Sequence, residues 1–181
     1  MNIAFKAMLF AKEKHKNQVR KYTGEPYFSH LAEVAGIVST VSPNFGIYAQ
    51  DMIATAFLHD CMEDQEVGWG ELKAEFGPFV ADAVEMLSDL EEGNREARKR
   101  LSRQRLDLAS HWVQTVKVAD LISNTSSIMR YDPKFAKVYL KEIRLLLDVL
   151  TRADDLLLGH MNQQWEDARH ALAIQTLIEQ P

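Results

Sequence analysis

Cysteine is almost missing from this 181-residue chain: Cys61 stands alone, which excludes an internal disulfide framework and suits a reducing compartment. Proline and glycine are sparse, at five and eight residues, so the frequent turn signals of a strand-rich fold are lacking. No apolar run reaches the roughly 18 residues that a membrane span needs. The opening Met-Asn-Ile-Ala-Phe-Lys enters an amphipathic pattern directly, without a secretory signal. A cytoplasmic protein with no membrane partner is the expectation. Positive charge is also in deficit. A formal net charge of −5 argues against a nucleic-acid polymer as partner, because such binders carry a basic footprint. A local basic patch for a small phosphorylated ligand remains compatible with it.

What is present is helical. Ala, Leu, Glu, Lys and Arg dominate, and 46% hydrophobic with 26% charged residues describes an ordered globular chain. Its length accommodates one good core and not two large ones, so residues 1–181 read as a single all-α domain, a helical bundle. Helical spacing of apolar residues predicts helices from about Asn2 to Lys16, Tyr27 or Phe28 to Ser42, and Tyr48 to Asp64. A short helix from Glu71 ends at Gly77-Pro78, and the next carries Val80 to Leu87. A basic helical segment follows, containing Arg95, Arg98, Lys99, Arg100, Arg103 and Arg105. Ser110 then reads as the N-cap of a long apolar helix ending near Met129. Two further helices follow Pro133 and Ala153. The last, with Leu156, Leu157, Met161, Trp165 and Leu172, closes the core or forms a homodimer contact.

The chemistry concentrates in Ala54-Thr55-Ala56-Phe57-Leu58-His59-Asp60-Cys61-Met62-Glu63-Asp64. At about 100° per residue, His59, Asp60, Glu63 and Asp64 share an arc of roughly 140°, while Ala54, Phe57, Leu58, Cys61 and Met62 fill the other side. Three carboxylates on neighbouring turns repel one another unless something positive sits between them. A divalent cation is the simplest remedy; a solvated polar face at the end of a core helix is the alternative. A second anchor is Asp120, the one acid within the apolar run Val113 to Ile122. An unpaired buried carboxylate costs several kcal/mol, so Asp120 is expected to bind a metal or to pair with Lys117. Lys117 and Asn124 lie at i−3 and i+4 on its helical face. With His30 at the start of the second predicted helix, His59, Asp60 and Asp120 supply the mixed imidazole and carboxylate set that divalent ions favour.

These residues resemble the H…HD…D pattern of HD-domain metal-dependent phosphohydrolases. Lys14-His15-x-x-Gln18-x-Arg20-Lys21, followed by Gly24-Glu25-Pro26-Tyr27-x-x-His30, is similar to the N-terminal signature of the RelA/SpoT-type alarmone hydrolases. Leu58-His59-Asp60-x-x-Glu63-Asp64 and Val116-Lys117-Val118-Ala119-Asp120-x-x-x-Asn124 are similar to it as well. The overlap runs from about residue 4 to residue 150. With no room for a synthetase domain, the stand-alone small alarmone hydrolases fit best.

The resemblance implies one divalent ion per chain, Mn²⁺, held by His30, His59, Asp60 and Asp120. It implies that Glu63 and Asp64 orient and deprotonate the attacking water. Arg20 and Lys21 would meet the departing pyrophosphate, and Lys117, beside the metal-binding Asp120, would also bind substrate. Asn124 and Tyr139 would line the nucleoside pocket, and Arg95, Arg98 and Arg100 would supply cations to substrate phosphates. The implied reaction removes the 3′-pyrophosphate from guanosine tetra- or pentaphosphate, giving GDP or GTP.

The sequence departs from the pattern at Leu121, where a base usually follows the aspartate, at Thr125-Ser126, and at Cys61-Met62. Substrate alternatives therefore include NADPH, a nucleoside 5′-monophosphate or a cyclic nucleotide. A non-catalytic nucleotide sensor is a third reading. His15 reads as a structural contact and Cys61 as a buried, inert thiol. His111, His160 and His170 fall outside every motif. Trp69 reads as a mobile cover or a loop anchor.

Overall fold

A computed structural model describes residues 1–178; the last three residues of the expected 1–181 domain lie outside the described residues. The fold is all-α. Helices run as α1 (Ile3–Lys14), α2 (Phe28–Val41), α3 (Ala49–Leu58), α4 (Cys61–Asp64), α5 (Trp69–Phe76), α6 (Pro78–Leu87), α7 (Arg95–Leu108), α8 (His111–Tyr131), α9 (Pro133–Leu147) and α10 (Asp155–Ile178). Among the described residues there is no β-strand, only an isolated bridge between Val19 and Pro26. None of these helices is long and apolar enough to cross a membrane.

Local chemistry explains most boundaries. The Asn2 carboxamide accepts from the Ala4 and Phe5 amides at 2.9 and 3.2 Å and starts α1. Asn94 does the same for α7 and Asp132 for α9, where Pro133 occupies the first turn. Gly77, at φ 84°, stops α5 and lets α6 begin at once. Ser110 precedes α8, but its side chain makes no capping bond, contrary to expectation. The expected loop before α3 is instead a 3₁₀ segment, Ser42–Tyr48, bent at Gly46, whose φ of 56° suits a residue without a Cβ.

The expected continuous helix from Tyr48 to Asp64 is broken at its chemical centre. α3 stops at Leu58, and α4 is a single turn beginning at Cys61. His59 Nδ1 donates to the Ala56 carbonyl at 2.8 Å, an acceptor that an unbroken helix would offer to the Asp60 amide. The imidazole thus replaces a backbone donor, and His59 and Asp60 form the joint.

Two apolar clusters flank that joint. One gathers Ala7, Ala11, Leu31, Leu58, Leu72 and Val80 from α1, α2, α3, α5 and α6. The other gathers Val34, Val38, Val116, Ile143, Leu150 and Met161 around α8. Leu31 and Leu58, both fully buried, sit next in sequence to His30 and His59. Truncating either to Ala is expected to cost about 2–5 kcal/mol and to loosen the adjoining imidazole. Buried Gln114 ties α8 to its surroundings, donating to Leu106 O at 2.8 Å and accepting from the Arg152 amide at 2.9 Å. The final helix packs against α8 and α9 and so helps close the core.

Candidate active site

Three elements converge on one point. α2 brings His30, the α3–α4 joint brings His59 and Asp60, and α8 brings Asp120. His30, His59 and Asp120 are only 1%, 3% and 6% exposed. Ligand atoms of His30, His59 and Asp60 all lie within 4.8 Å of one another. Asp120 stands outside that mutually close trio but beside both imidazoles, its Oδ1 3.3 Å from His30 Nε2 and 3.6 Å from His59 Nε2. Asp60 Oδ2 stands 3.7 and 3.0 Å from the same two nitrogens.

Hydrogen bonding on the outer side fixes what faces inward. His30 Nδ1 lies 2.9 Å from Ser123 Oγ, which donates its own proton to Glu33 Oε2 at 2.7 Å. Nδ1 must therefore carry the hydrogen, which turns the Nε2 lone pair toward the centre. His59 Nδ1 is likewise committed to the Ala56 carbonyl. Both Nε2 atoms are buried without a hydrogen-bond partner among the described residues. Buried polar atoms are rarely left so. Two inward lone pairs facing two carboxylates fit a divalent cation, and the outward bonds are the kind that orient metal-bound imidazoles.

The electrostatics agree. Burial opposes a proton on His59, but Asp60 and Asp120 outweigh it and raise its pKa well above the ordinary value. Burial opposes ionisation of Asp60 and Asp120 too, yet His59 and Lys117 respectively hold them below the usual carboxylate range. Lys117 offsets one of the two carboxylates, and the remaining negative charge is met by an ion or by a proton on His59.

Lys117 Nζ contacts Asp120 Oδ2 at 2.8 Å, and Asn124 Nδ2 donates to Asp120 Oδ1 at 2.6 Å. The pairing with Lys117 expected for Asp120 is present at Oδ2, while Oδ1 faces the two imidazoles. Tyr27, three residues before His30, donates its hydroxyl to Asp60 Oδ2 at 2.7 Å. Neither Tyr27 nor Ser123 was singled out from the sequence. Tyr27 lay inside the Gly-Glu-Pro-Tyr segment, whereas a serine within an apolar helix gives no signal.

Glu63 and Asp64 follow on α4. Glu63 Oε2 accepts from the Asp89 amide at 2.9 Å, and Asp64 Oδ2 accepts from Gln18 Nε2 at 2.8 Å. Glu63 is exposed as a residue, but crowding of its carboxyl raises its pKa, opposed by the Asp89 N–H and aided by Asp60. Arg20 Nη1 reaches Asn124 Oδ1 at 3.5 Å, one helical turn from Asp120 on α8. Lys21 turns away, with Nζ 3.4 Å from Tyr22 Oη and 3.9 Å from Asp132 Oδ2. Tyr139 lines a cavity of about 130 Å³ together with Lys117, Asp120 and Asn124.

On α7 the basic residues separate. Arg95 is held in a two-point ion pair with Glu142 at 2.7 and 2.8 Å, and Arg98 and Arg100 are exposed. Lys99, not one of the expected residues, turns inward to Asp89 Oδ2 at 2.5 Å, and Arg105 joins it there at 3.3 Å. A run rich in arginine does not reveal which face of its helix points inward. Trp69, expected in a loop, is the first residue of α5 and donates to Asp82 Oδ1 on α6 at 2.8 Å, an anchor for the start of its helix. Cys61 is buried, and burial pushes its thiol pKa up.

Residues 7–117 match the HD-domain family. Over 126 residues the chain is 34% identical to the zebrafish (Danio rerio) guanosine-3′,5′-bis(diphosphate) 3′-pyrophosphohydrolase MESH1, covering 69% of this chain and 68% of that protein. The Xenopus tropicalis MESH1 is 33% identical, with 73% of each chain covered. A GTP pyrophosphokinase rsh of Brucella melitensis is 34% identical over 71% of this chain but only 18% of its own length. Among solved structures, one described as "A metazoan ortholog of SpoT hydrolyzes ppGpp and plays a role in starvation responses" superposes with a TM-score of 0.81. It covers 92% of this chain and 96% of its own, and its 22% identity speaks for the fold alone. The chain belongs to the HD-domain family of metal-dependent phosphohydrolases, in the branch that includes the stand-alone MESH1-type enzymes.

Proposed function

We propose that this chain is one HD-type hydrolase domain that removes the 3′-pyrophosphate from guanosine tetra- or pentaphosphate, yielding GDP or GTP and pyrophosphate. The activity printed for the two MESH1 relatives supports the reaction. The observation that carries it is the pair of unpartnered imidazole nitrogens facing Asp60 and Asp120, with two further carboxylates on the adjoining turn.

In this reading His30, His59, Asp60 and Asp120 hold one divalent ion, manganese. When bound, the ion polarises a phosphoryl oxygen and acidifies water. Glu63, with its raised pKa, and Asp64 orient the attacking water and accept its proton. Arg20 meets the diphosphate being released, where a guanidinium can grip two oxygens at once; Lys21 joins it by swinging from Asp132. Lys117 holds Asp120 ionised and adds positive charge to the cavity that Asn124 and Tyr139 line. Arg95, Arg98 and Arg100 form the outer cationic rim for the remaining phosphates. The enzyme works in the cytoplasm on a nucleotide, with no polymer or membrane partner, and the final helix remains available for a homodimer contact.

A panel of nucleotides incubated with Mn²⁺-loaded protein tests this, scoring which phosphate bond is cut. Release of pyrophosphate from the guanosine 3′-diphosphate is expected. Preferred cleavage of NADPH, a 5′-monophosphate or a cyclic nucleotide would replace the substrate assignment. The double variant Glu63→Gln/Asp64→Asn should retain its metal and lose turnover; undiminished turnover in it would refute the roles given to that pair.

A further inference from the structure

The signature residues His15 and Gln18 have no part in the reaction as described, yet they connect to it. His15 is 1% exposed, buried between α1 and the joint. Its Nδ1 lies 2.5 Å from Gln18 Oε1, and its Nε2 lies 3.5 Å from Cys61 Sγ. Gln18 Oε1 also accepts from Gln65 Nε2 at 2.6 Å, and Gln18 Nε2 donates to Asp64 Oδ2 at 2.8 Å.

The direction of every bond in this chain is determined. An ionised carboxylate only accepts, so Gln18 must present its NH₂ to Asp64 and its carbonyl to His15 and Gln65. Two donors converging on Oε1 agree with that orientation. His15 must then carry its hydrogen on Nδ1, and burial, which lowers its pKa, favours a ring with just that one hydrogen. Its Nε2 lone pair faces the buried Cys61 thiol, whose S–H is a weak donor. The order is Cys61 to His15 to Gln18 to Asp64, each donating to the next. It spends Asp64 Oδ2 and leaves Oδ1 without a hydrogen bond among the described residues. α4 is a single turn, so its own backbone is a weak restraint on Asp64.

We propose that Gln18 is a positioning residue for turnover: with its carbonyl fixed by buried His15 and by Gln65, its amide locks the Asp64 carboxylate with one oxygen free for the attacking water. This rests on the catalytic role assigned to Asp64 above. His15 acts one step further back, by setting the amide orientation of Gln18.

The test is Gln18→Met, which keeps length and loses both hydrogen-bonding ends. Its kcat should fall on the order of 10- to 100-fold, the scale of an ångström-level misplacement of a reacting group. KM and bound Mn²⁺ should stay within about twofold of the parent on the same reasoning, because neither phosphate nor metal contacts change. In an Asp64→Ala background the same substitution should have no further effect on kcat. A fall in KM affinity or metal content of the same size as the loss in kcat would overturn the proposal, as would full additivity with Asp64→Ala. If Asp64→Ala itself leaves turnover intact, the catalytic reading of Asp64 fails. If Asp64→Ala is impaired and Gln18→Met is not, only the positioning role fails. Should Gln18→Met not fold, Gln18→Glu carries the same test: it still accepts from His15 and Gln65 but cannot donate to an ionised Asp64.

Discussion

Replacing Ser123 with Ala isolates the outer support of the metal centre from the ligands themselves. Ser123 Oγ is the acceptor for His30 Nδ1 at 2.9 Å, and nothing else among the described residues bonds that nitrogen. Without it, the ring loses the bond that selects its Nδ1–H form and points Nε2 inward. An orphaned buried N–H costs about 1–3 kcal/mol, and loss of such an outer partner typically weakens metal affinity about 10- to 100-fold. The two scales agree, since tenfold corresponds to about 1.4 kcal/mol. Competition of Mn²⁺ between the protein and a chelating dye would measure the change directly. Ser127→Ala is the control: Ser127 lines the neighbouring cleft with Arg20 and Arg130 and contacts neither imidazole. Equal affinity for Ser123→Ala and the parent, within twofold, would mean that the His30 ring is held by packing alone. It would also remove the tautomer argument from the case for a metal.

Two other perturbations probe the charges around this centre. Lys117→Met leaves buried Asp120 without its cation and should destabilise the protein by about 3–5 kcal/mol, measured by urea unfolding; the double variant Lys117→Met/Asp120→Asn should lose less than the single one. Asp89, whose desolvation is outweighed by Lys117 and Lys99, has its pKa lowered from 3.8 to about 2. A depressed folded-state pKa gives stability that is complete above the ordinary value and fades as pH falls through the folded one. Asp89→Asn should therefore be less stable than the parent at pH 5–7, with the difference vanishing toward pH 2. A pH-independent difference would contradict the ion-pair assignment.

The sequence made the His30, His59, Asp60 and Asp120 cluster legible because its signals are chemically expensive. An aspartate in the apolar run of α8 needs a partner, and so does an HD pair beside two more acids. The helices were legible for a similar reason, through the spacing of Val34, Val38 and Leu31 or of Ile143, Leu147 and Leu150. The joint at His59 was not. No glycine or proline interrupts Tyr48 to Asp64, and the break arises from a side chain taking a backbone acceptor, which periodicity does not record. The inward face of α7 was hidden for another reason. Arg98, Arg100, Lys99 and Arg105 look alike in sequence, and only the placement of Asp89 selects Lys99 and Arg105.

The interruption between α3 and α4 divides the labour of this centre among separate parts of the chain. Of the groups proposed to hold the ion, His30 and Asp120 sit on the long, buried helices α2 and α8, and His59 and Asp60 at the joint that ends α3. Glu63 and Asp64, the proton acceptors in the proposed reaction, ride on a single turn moored from outside, Asp64 to the strap leading out of α1 and Glu63 to the strap between α6 and α7. On the proposed roles, substitutions in either strap are expected to retune speed without unloading the ion, and relatives to differ in rate while sharing one metal cage.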